Sequence, residues 1–206
     1  MSSSPCYLDP IILPLIKGPT VLDVACGYGR WGQLIQTNFW EAGLSQPPVV
    51  DGIDGFEPNV SRCAALGVYR TVSLHLLPAL LTGKWSTVLA CEIIEHLPES
   101  MIASAIDSLE AVAEKRIIFS TPNWKYLREG GETLEGFNEL EAHLSYVPRS
   151  YFEKRGYTII AAGYGNPRNF VVRVLNRLRL RSGRLTRILP ELHASFAAAY
   201  IAYKDF

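Results

Sequence analysis

Short apolar runs alternate with segments of helical pattern along the first 123 residues. The runs are TVLDVACG, PPVVDGIDGF, VYRTVS, KWSTVLACEI and RIIFSTPN. Between them, apolar residues recur at helical spacing, as in PESMIASAIDSLEAVAEK, where they fall at positions 102, 106, 109 and 112/113. Strands that alternate with helices in this way form a parallel sheet covered by helices on both faces.

The rhythm breaks after Asn123. Residues 124–145 are polar and rich in glycine, and we expect a loop or lid over the strand ends. A helix in PRSYFEKRGY, a sixth strand in YTIIAAGYG and a closing strand in ASFAAAYIAYK follow, with a basic insertion at 168–190 between the last two. The prediction is one α/β domain over residues 1–206, with a Rossmann-like, doubly wound, seven-stranded, mostly parallel sheet that ends antiparallel. It has lid-like insertions at about 124–145 and 168–190.

The charge and composition of the chain do not favour nucleic acid or a membrane as its partner. Twenty basic and twenty acidic residues give a formal net charge of zero, so no global field attracts nucleic acid or membrane. No uninterrupted apolar run is long enough to span a bilayer. The N-terminus lacks a basic segment, and its apolar part is interrupted by prolines. We expect a cytoplasmic protein with reduced cysteines, no membrane span and a small-molecule substrate; the sequence makes no prediction of oligomeric state.

The loop after the first predicted strand has the composition of a cofactor-binding turn. It reads D-V-A-C-G-Y-G-R-W-G, and Gly27 and Gly29 let the backbone approach a ligand closely. Asp23 could orient this loop or contact a ligand ammonium through water. Asp54 ends the second strand, where an acid accepts ribose hydroxyls. Because G-Y-G-R-W-G also fits the dinucleotide fingerprint, an NAD(P)-dependent oxidoreductase is an alternative.

The full series of motifs resembles that of class I S-adenosylmethionine-dependent methyltransferases. D-V-A-C-G resembles their first motif, hhD-h-G-x-G-x-G, with Ala25 in place of the first glycine; DGIDGFEPNV, STVLACEIIEHLPE and IIFSTPN follow in the family's order, and together they cover roughly residues 18–165. The resemblance implies the cofactor S-adenosylmethionine. The residues that it places beside the cofactor are Asp23, Ala25, Cys26, Gly27, Gly29, Asp54, Gly55, Phe56, Cys91 and Glu92.

The exit of the fourth strand carries E-x-x-E-H. This motif is similar to one in ubiquinone-pathway O-methyltransferases and in small-RNA 3′-terminal 2′-O-methyltransferases. That resemblance implies a divalent cation, Mg²⁺, Mn²⁺ or Zn²⁺, held by Glu92, Glu95, His96 and the later His143. In the alternative interpretation there is no metal, Glu95 bonds the backbone, and His96 acts as a base or packs. His96 and His143 are the candidate catalytic bases in either case.

The basic insertion at 168–190 admits several interpretations. Arg173, Arg177, Arg181 and Arg184 share one helical face, and Val171, Val174, Leu175 and Leu178 share the opposite one. A solvated surface helix is the first interpretation and a lid over an anionic substrate the second. A membrane-surface helix and a phosphate-tracking groove for RNA are the others.

Four hypotheses of function follow. The first is a methyltransferase that transfers a methyl group from S-adenosylmethionine to a small molecule, at a hydroxyl oxygen. The second is an RNA 2′-O-methyltransferase, which the arginines and the E-x-x-E-H motif favour and the neutral charge disfavours. The third is the oxidoreductase, for which a Tyr/Lys or Cys catalytic set is missing, and the fourth is a non-catalytic cofactor-binding module.

Overall fold

The structure, a computed structural model, describes residues 4–166, 169–177 and 193–206. Its main sheet contains β1 (Thr20–Val24), β2 (Val49–Asp54), β3 (Thr71–Leu74), β4 (Trp85–Cys91), β5 (Ala113–Pro122), β8 (Thr158–Tyr164) and β9 (Ala197–Asp205). The strand order is β3-β2-β1-β4-β5-β9-β8. Neighbours from β3 to β5 are parallel, and β9 is antiparallel to both β5 and β8. The predicted seven-stranded, mostly parallel sheet with an antiparallel end is confirmed.

The helices are α1 (Asp9–Ile12), α2 (Arg30–Asn38), α3 (Glu57–Ala64), α4 (Glu99–Glu110), α5 (Arg149–Lys154) and α6 (Phe170–Arg177). Successive strand residues point to opposite faces of the sheet, so each buried strand supplies two cores. On one face α4 packs against Leu22, Val88 and Phe119. On the other, α2 and the N-terminal turns pack against Val21, Leu89 and Ile118. Both faces are therefore covered, as the continuous apolar runs predict.

The 124–145 segment contains a hairpin that the sequence pattern did not predict. Strands β6 (Gly131–Thr133) and β7 (Gly136–Asn138) pair antiparallel through a tight turn. Gly136 has a φ of 101°, a backbone conformation that favours glycine. Three-residue polar strands show no apolar alternation, which is why the periodicity of this segment is unreadable in the sequence.

The described part of the basic insertion is α6. Arg173 and Arg177 are exposed there, as predicted. The apolar face was predicted at the wrong positions. Val172, which was not part of it, is fully buried, whereas Val171 and Val174 are exposed. Leu178 and the other arginines of the predicted insertion lie outside the described residues.

Two further properties bear on the expectations from sequence. Within the described ranges, none of the helices has the length and apolar character needed to cross a membrane. The four cysteines are all free thiols, with Cys6 exposed and Cys26, Cys63 and Cys91 buried.

Candidate functional site

The topology creates a crevice between β1 and β4. The chain runs from β1 outward to β2 and β3, then crosses back to β4 on the other side of β1. In open α/β sheets, ligands bind at the carboxyl ends of the strands beside such a switch point. A cavity of about 400 Å³ lies there. The predicted site residues that line it are Ala25, Asp54, Gly55, Cys91, Glu92, Glu95, His96 and His143.

The loop after β1 is held in a strained, open conformation. Ala25 has a φ of 56°, in the left-handed region that costs a non-glycine residue about 1 kcal/mol or more. Gly27 and Gly29, with φ of 53° and 76°, turn the chain into α2. The Gly29 N–H donates to the Cys26 carbonyl (2.8 Å), and the Cys26 N–H donates to the Ile53 carbonyl (3.0 Å). The turn is therefore anchored to the end of β2.

Asp54 joins the two loops at the floor of the cavity. Its carboxylate accepts from the Gly27 N–H (2.8 Å), the Phe56 N–H (2.9 Å) and the Asn59 side-chain amide (3.2 Å). A carboxylate has about four acceptor positions, and three of those of Asp54 are used. About one position remains, so Asp54 could accept from one of the two hydroxyl groups of a ribose. Burial raises the pKa of Asp54, and these three donors oppose the rise.

Five residues predicted to contact the cofactor do not line the cavity: Gly27 and Gly29 of the turn, and Asp23, Cys26 and Phe56. Asp23 is fully buried and accepts from the Tyr69 hydroxyl (2.6 Å), which itself accepts from the Gly32 N–H (3.0 Å). Burial raises the pKa of Asp23 to about 7. Asp23 is therefore linked through Tyr69 to α2, whereas its position in the sequence suggested a contact with the loop or with a ligand ammonium. Cys26 is buried. Phe56 donates its backbone N–H to Asp54, and its ring does not line the cavity.

Two carboxyl groups follow β4. Glu92 has a φ of 53°, and its side chain accepts from the Ser120 hydroxyl (2.9 Å). Burial raises its pKa to about 7. Glu95 is almost completely buried, accepts from the Thr121 hydroxyl at Oε2 (3.0 Å), and has no hydrogen-bond partner at Oε1 among the described residues. Burial, and then the charge of Glu92, raise the pKa of Glu95 well above its usual range.

The two predicted histidines are in contact. The ring centroids of His96 and His143 are 4.6 Å apart in an edge-to-face arrangement. The Glu95 carbonyl accepts from the N–H groups of Leu144 (2.9 Å) and Ser145 (3.0 Å), which brings the later segment against the exit of β4. Burial lowers the pKa of both imidazoles, that of His143 to about 4, so both are neutral at pH 7.

Glu95, His96 and His143 form a set able to hold a metal ion. One ligand atom from each residue lies within 4.8 Å of the others. A carboxylate and two neutral imidazoles suit several divalent cations, and the unpartnered Glu95 Oε1 is a buried acceptor that a cation would satisfy. The residues present thus fit a metal. Glu92, the fourth predicted ligand, lies outside this group of three.

Several cavity residues were missed by the reasoning from sequence. They come from the N-terminal turn, α3, the loop after β3, the start of α4 and the 124–145 segment: Ser4, Pro5, Asn59, His75, Leu76, Leu77, Met101, Tyr126, Arg128, Asn138, Leu140 and Glu141. His75 also hydrogen-bonds the Ala79 carbonyl (3.0 Å). The sequence carries one indication of Glu141, which stands two residues before His143.

Comparison with known proteins finds similarity in structure alone. No family model matches the chain, and no curated protein matches it. A SAM-dependent methyltransferase from Archaeoglobus fulgidus is 19% identical over 97% of this chain and 91% of its own, with a TM-score of 0.58. Magnesium protoporphyrin IX methyltransferase from Synechocystis PCC 6803 with bound SAM is 18% identical over 95% and 74%, with a TM-score of 0.53.

A third solved structure extends the similarity to nearly the full length of both chains. The S-adenosylmethionine-dependent methyltransferase from Mesorhizobium loti is 13% identical over 95% of this chain and 96% of its own, with a TM-score of 0.55. At such identities the likeness concerns the backbone. The chain has the fold of S-adenosylmethionine-dependent methyltransferases.

Proposed function

We propose that the protein is an S-adenosylmethionine-dependent methyltransferase that methylates a small molecule at a hydroxyl oxygen. One observation carries the proposal. A single cavity at the β1–β4 crevice is lined both by residues predicted to bind the cofactor and by the histidine pair predicted to act on the acceptor. Solved structures of the same fold support this assignment, among them magnesium protoporphyrin IX methyltransferase with bound SAM and with bound SAH.

The cavity suits a cationic cofactor. S-adenosylmethionine carries a sulfonium and an ammonium, and Asp54, Glu92 and Glu95 line the cavity. Ala25 in the left-handed region opens the turn, so that backbone rather than side chain faces the ligand. Asp54 would accept one ribose hydroxyl at its remaining position.

The histidine pair supplies a proton acceptor. His96 Nδ1 lies 3.0 Å from the Ala142 carbonyl, which can only accept, so Nδ1 carries the hydrogen and Nε2 is the basic nitrogen. In the proposed reaction the acceptor oxygen attacks the methyl carbon, the carbon–sulfur bond breaks, and S-adenosylhomocysteine leaves as a neutral thioether. The hydroxyl proton passes to a neutral imidazole, of His96 or of His143.

A thermal-shift experiment tests the cofactor. A ligand at about 100 times its Kd stabilises the folded protein by about 2.7 kcal/mol. We expect S-adenosylmethionine and S-adenosylhomocysteine to raise the Tm and NAD to leave it unchanged. Stabilisation by NAD alone would contradict the proposal and favour the oxidoreductase.

Glu95, His96 and His143, with Glu92 beside them, are proposed to hold a divalent cation. When bound, the cation would supply Lewis acidity that lowers the pKa of an acceptor hydroxyl. The residues' own contribution is a preformed donor set: two imidazoles that need no deprotonation at pH 7, and a buried carboxyl oxygen that has no hydrogen-bond partner among the described residues.

Metal content, rather than activity, tests this second proposal. Protein stripped with EDTA is dialysed against Zn²⁺, Mn²⁺ or Mg²⁺ and assayed for bound metal and Tm. We expect one equivalent to bind wild type and not His143→Ala, with His75→Ala as the matched control that keeps binding. Absence of stoichiometric metal in wild type would leave the imidazoles as bases alone.

A further inference from the structure

The walls of the cavity carry a strong excess of acid. Four carboxyl groups line it, those of Asp54, Glu92, Glu95 and Glu141, against one arginine, Arg128, and no lysine among the described lining residues. The described lining also contains three histidines, His75, His96 and His143. An anionic ligand would therefore face four carboxyl groups and one guanidinium.

Arg128 does not compensate, because its guanidinium is paired within the wall. Nε donates to the Glu141 carbonyl (3.1 Å), and Nη2 donates to the Glu141 carboxylate (3.1 Å). Binding an anion to Arg128 would place that anion beside Glu141, which is itself buried. The one positive side chain of the described wall is thus committed to a neighbour.

The mouth of the same cavity is apolar. Four of its lining side chains are large, hydrophobic and exposed: Leu76 (57%), Met101 (41%), Tyr126 (51%) and Leu140 (45%). We call these four residues the apolar rim. Leu76 and Leu140 converge over Gly55, where an added Cβ would lie 2.7 Å from Leu76 Cδ2 and 2.8 Å from Leu140 Cδ1. Exposed apolar side chains that are clustered at a cavity mouth indicate a surface that a ligand covers.

We propose that the methyl acceptor is an uncharged hydroxyl compound with an apolar body, and that the acidic wall rejects anionic acceptors, RNA among them. The proposal rests on the proposed function and names its substrate class. The apolar rim would cover the body of the acceptor while its hydroxyl reaches the histidine pair. The acceptor class differs from the anionic one that the arginine-rich segment suggested.

The test is a binding experiment on EDTA-treated protein saturated with S-adenosylhomocysteine, because a bound cation of the kind proposed above would attract anions. Two matched probe sets keep the body constant and change the charge: 4-ethylphenol against 4-hydroxyphenylacetate, and 1-octanol against octanoate. We expect the neutral member of each set to bind at least about tenfold more tightly than its anion at low salt, where the repulsion is least screened.

Two variants separate the contributions of charge and of apolar surface. Glu141→Gln removes the acid that holds Arg128, and we expect it to strengthen binding of both anions about fivefold or more. Tyr126→Ser should weaken the neutral probes about tenfold, because it removes one large side chain of the rim. Leu134→Ser is the matched control, since Leu134 is exposed in the same segment and does not line the cavity; it should leave probe binding unchanged.

Three outcomes would overturn the proposal. Anions that bind as tightly as the neutral probes, or a short single-stranded RNA that binds more tightly than either neutral probe, would show that the acidic wall does not select. Failure of both neutral probes to bind the saturated protein would show that the rim is not an acceptor surface. Failure of S-adenosylhomocysteine itself to bind would instead overturn the proposed function.

Discussion

Ala25 and Glu92 are the two described non-glycine residues with a positive φ, and both line the cavity. Such conformations cost free energy of folding and cluster at functional sites, where the surrounding structure enforces them. Glu92 adds an electrostatic cost, because burial raises its pKa to about 7. At the scale of single residues, the strained backbone and the buried charge therefore lower the free energy of unfolding of the ligand-free protein.

Glu92→Gln should therefore stabilise the ligand-free protein at alkaline pH. Below pH 4.5, the usual pKa of the group, the carboxyl is protonated in both the folded and the unfolded state and costs nothing. As pH rises from 4.5 to about 7, the unfolded chain ionises first, so the wild type loses stability that the variant keeps. We expect a gain of about 2 kcal/mol at pH 8 in the free energy of unfolding, measured with urea and EDTA.

Glu114→Gln is the control for that experiment. Glu114 is exposed on β5, and its replacement should change the free energy of unfolding little at any pH. A Glu92→Gln variant that is less stable than wild type at pH 8 would show that the charged form is stabilised in the folded protein, contrary to the burial argument.

His143 predicts a pH dependence of the opposite sign. Its pKa is lowered from 6.5 to about 4, mainly by burial, so the unfolded chain takes up the proton first as pH falls. The wild type should lose stability relative to His143→Gln between pH 6.5 and 4, and the difference should be constant above pH 7.5. Urea unfolding of the metal-free proteins checks this; a difference that is flat across the window would contradict it.

At the scale of elements, the site depends on how the 124–145 segment meets the exit of β4. The Glu95 carbonyl holds the N–H groups of Leu144 and Ser145, and Arg128 and His143 exchange backbone hydrogen bonds of 3.3 and 3.0 Å. Arg128 also binds Glu141 through its side chain. These contacts place His143 against His96, some fifty residues earlier in the chain.

Arg128→Ala should loosen this segment without unfolding the sheet. The variant keeps the backbone bonds but loses both side-chain bonds to Glu141, worth about 1 kcal/mol in total for a side chain that is partly exposed. We expect about fivefold faster amide hydrogen exchange at Arg128, Glu141 and His143, with exchange in β4 unchanged.

Arg149→Ala is the matched control, because its pair with Glu153 is long (3.7 Å) and both side chains are exposed. It should leave exchange in the 124–145 segment unaltered. Equal protection of His143 in wild type and Arg128→Ala would show that the backbone bonds alone hold the segment.

At the scale of the whole molecule, the number of strands and their mostly parallel arrangement follow from patterns that the sequence displays. Seven apolar runs gave the seven strands, and the residues after β1, β2 and β4 could be placed at one edge because parallel strands end on the same side. His143 was placed by family resemblance alone. The hairpin of β6 and β7 was missed, because short polar strands carry no period.

The remaining cavity residues could not be predicted, for a physical reason. Leu76, Tyr126 and Leu140 lie in connections whose paths depend on tertiary contacts, and exposed apolar residues in such connections look ordinary in a sequence. Asp23 and Phe56 show the converse. Both belong to the motifs that carry the resemblance, yet Asp23 is bound to Tyr69 and Phe56 offers its backbone N–H to Asp54, and neither lines the cavity.

A crystal structure with S-adenosylhomocysteine would test the proposed function directly. We expect the ligand to lie in the cavity between the ends of β1 and β4, over the Ala25 turn, with a ribose hydroxyl on Asp54 and the sulfur toward Glu92 and the histidine pair. Ligand bound elsewhere on the protein, or NAD in this crevice under conditions where S-adenosylhomocysteine does not bind, would contradict it.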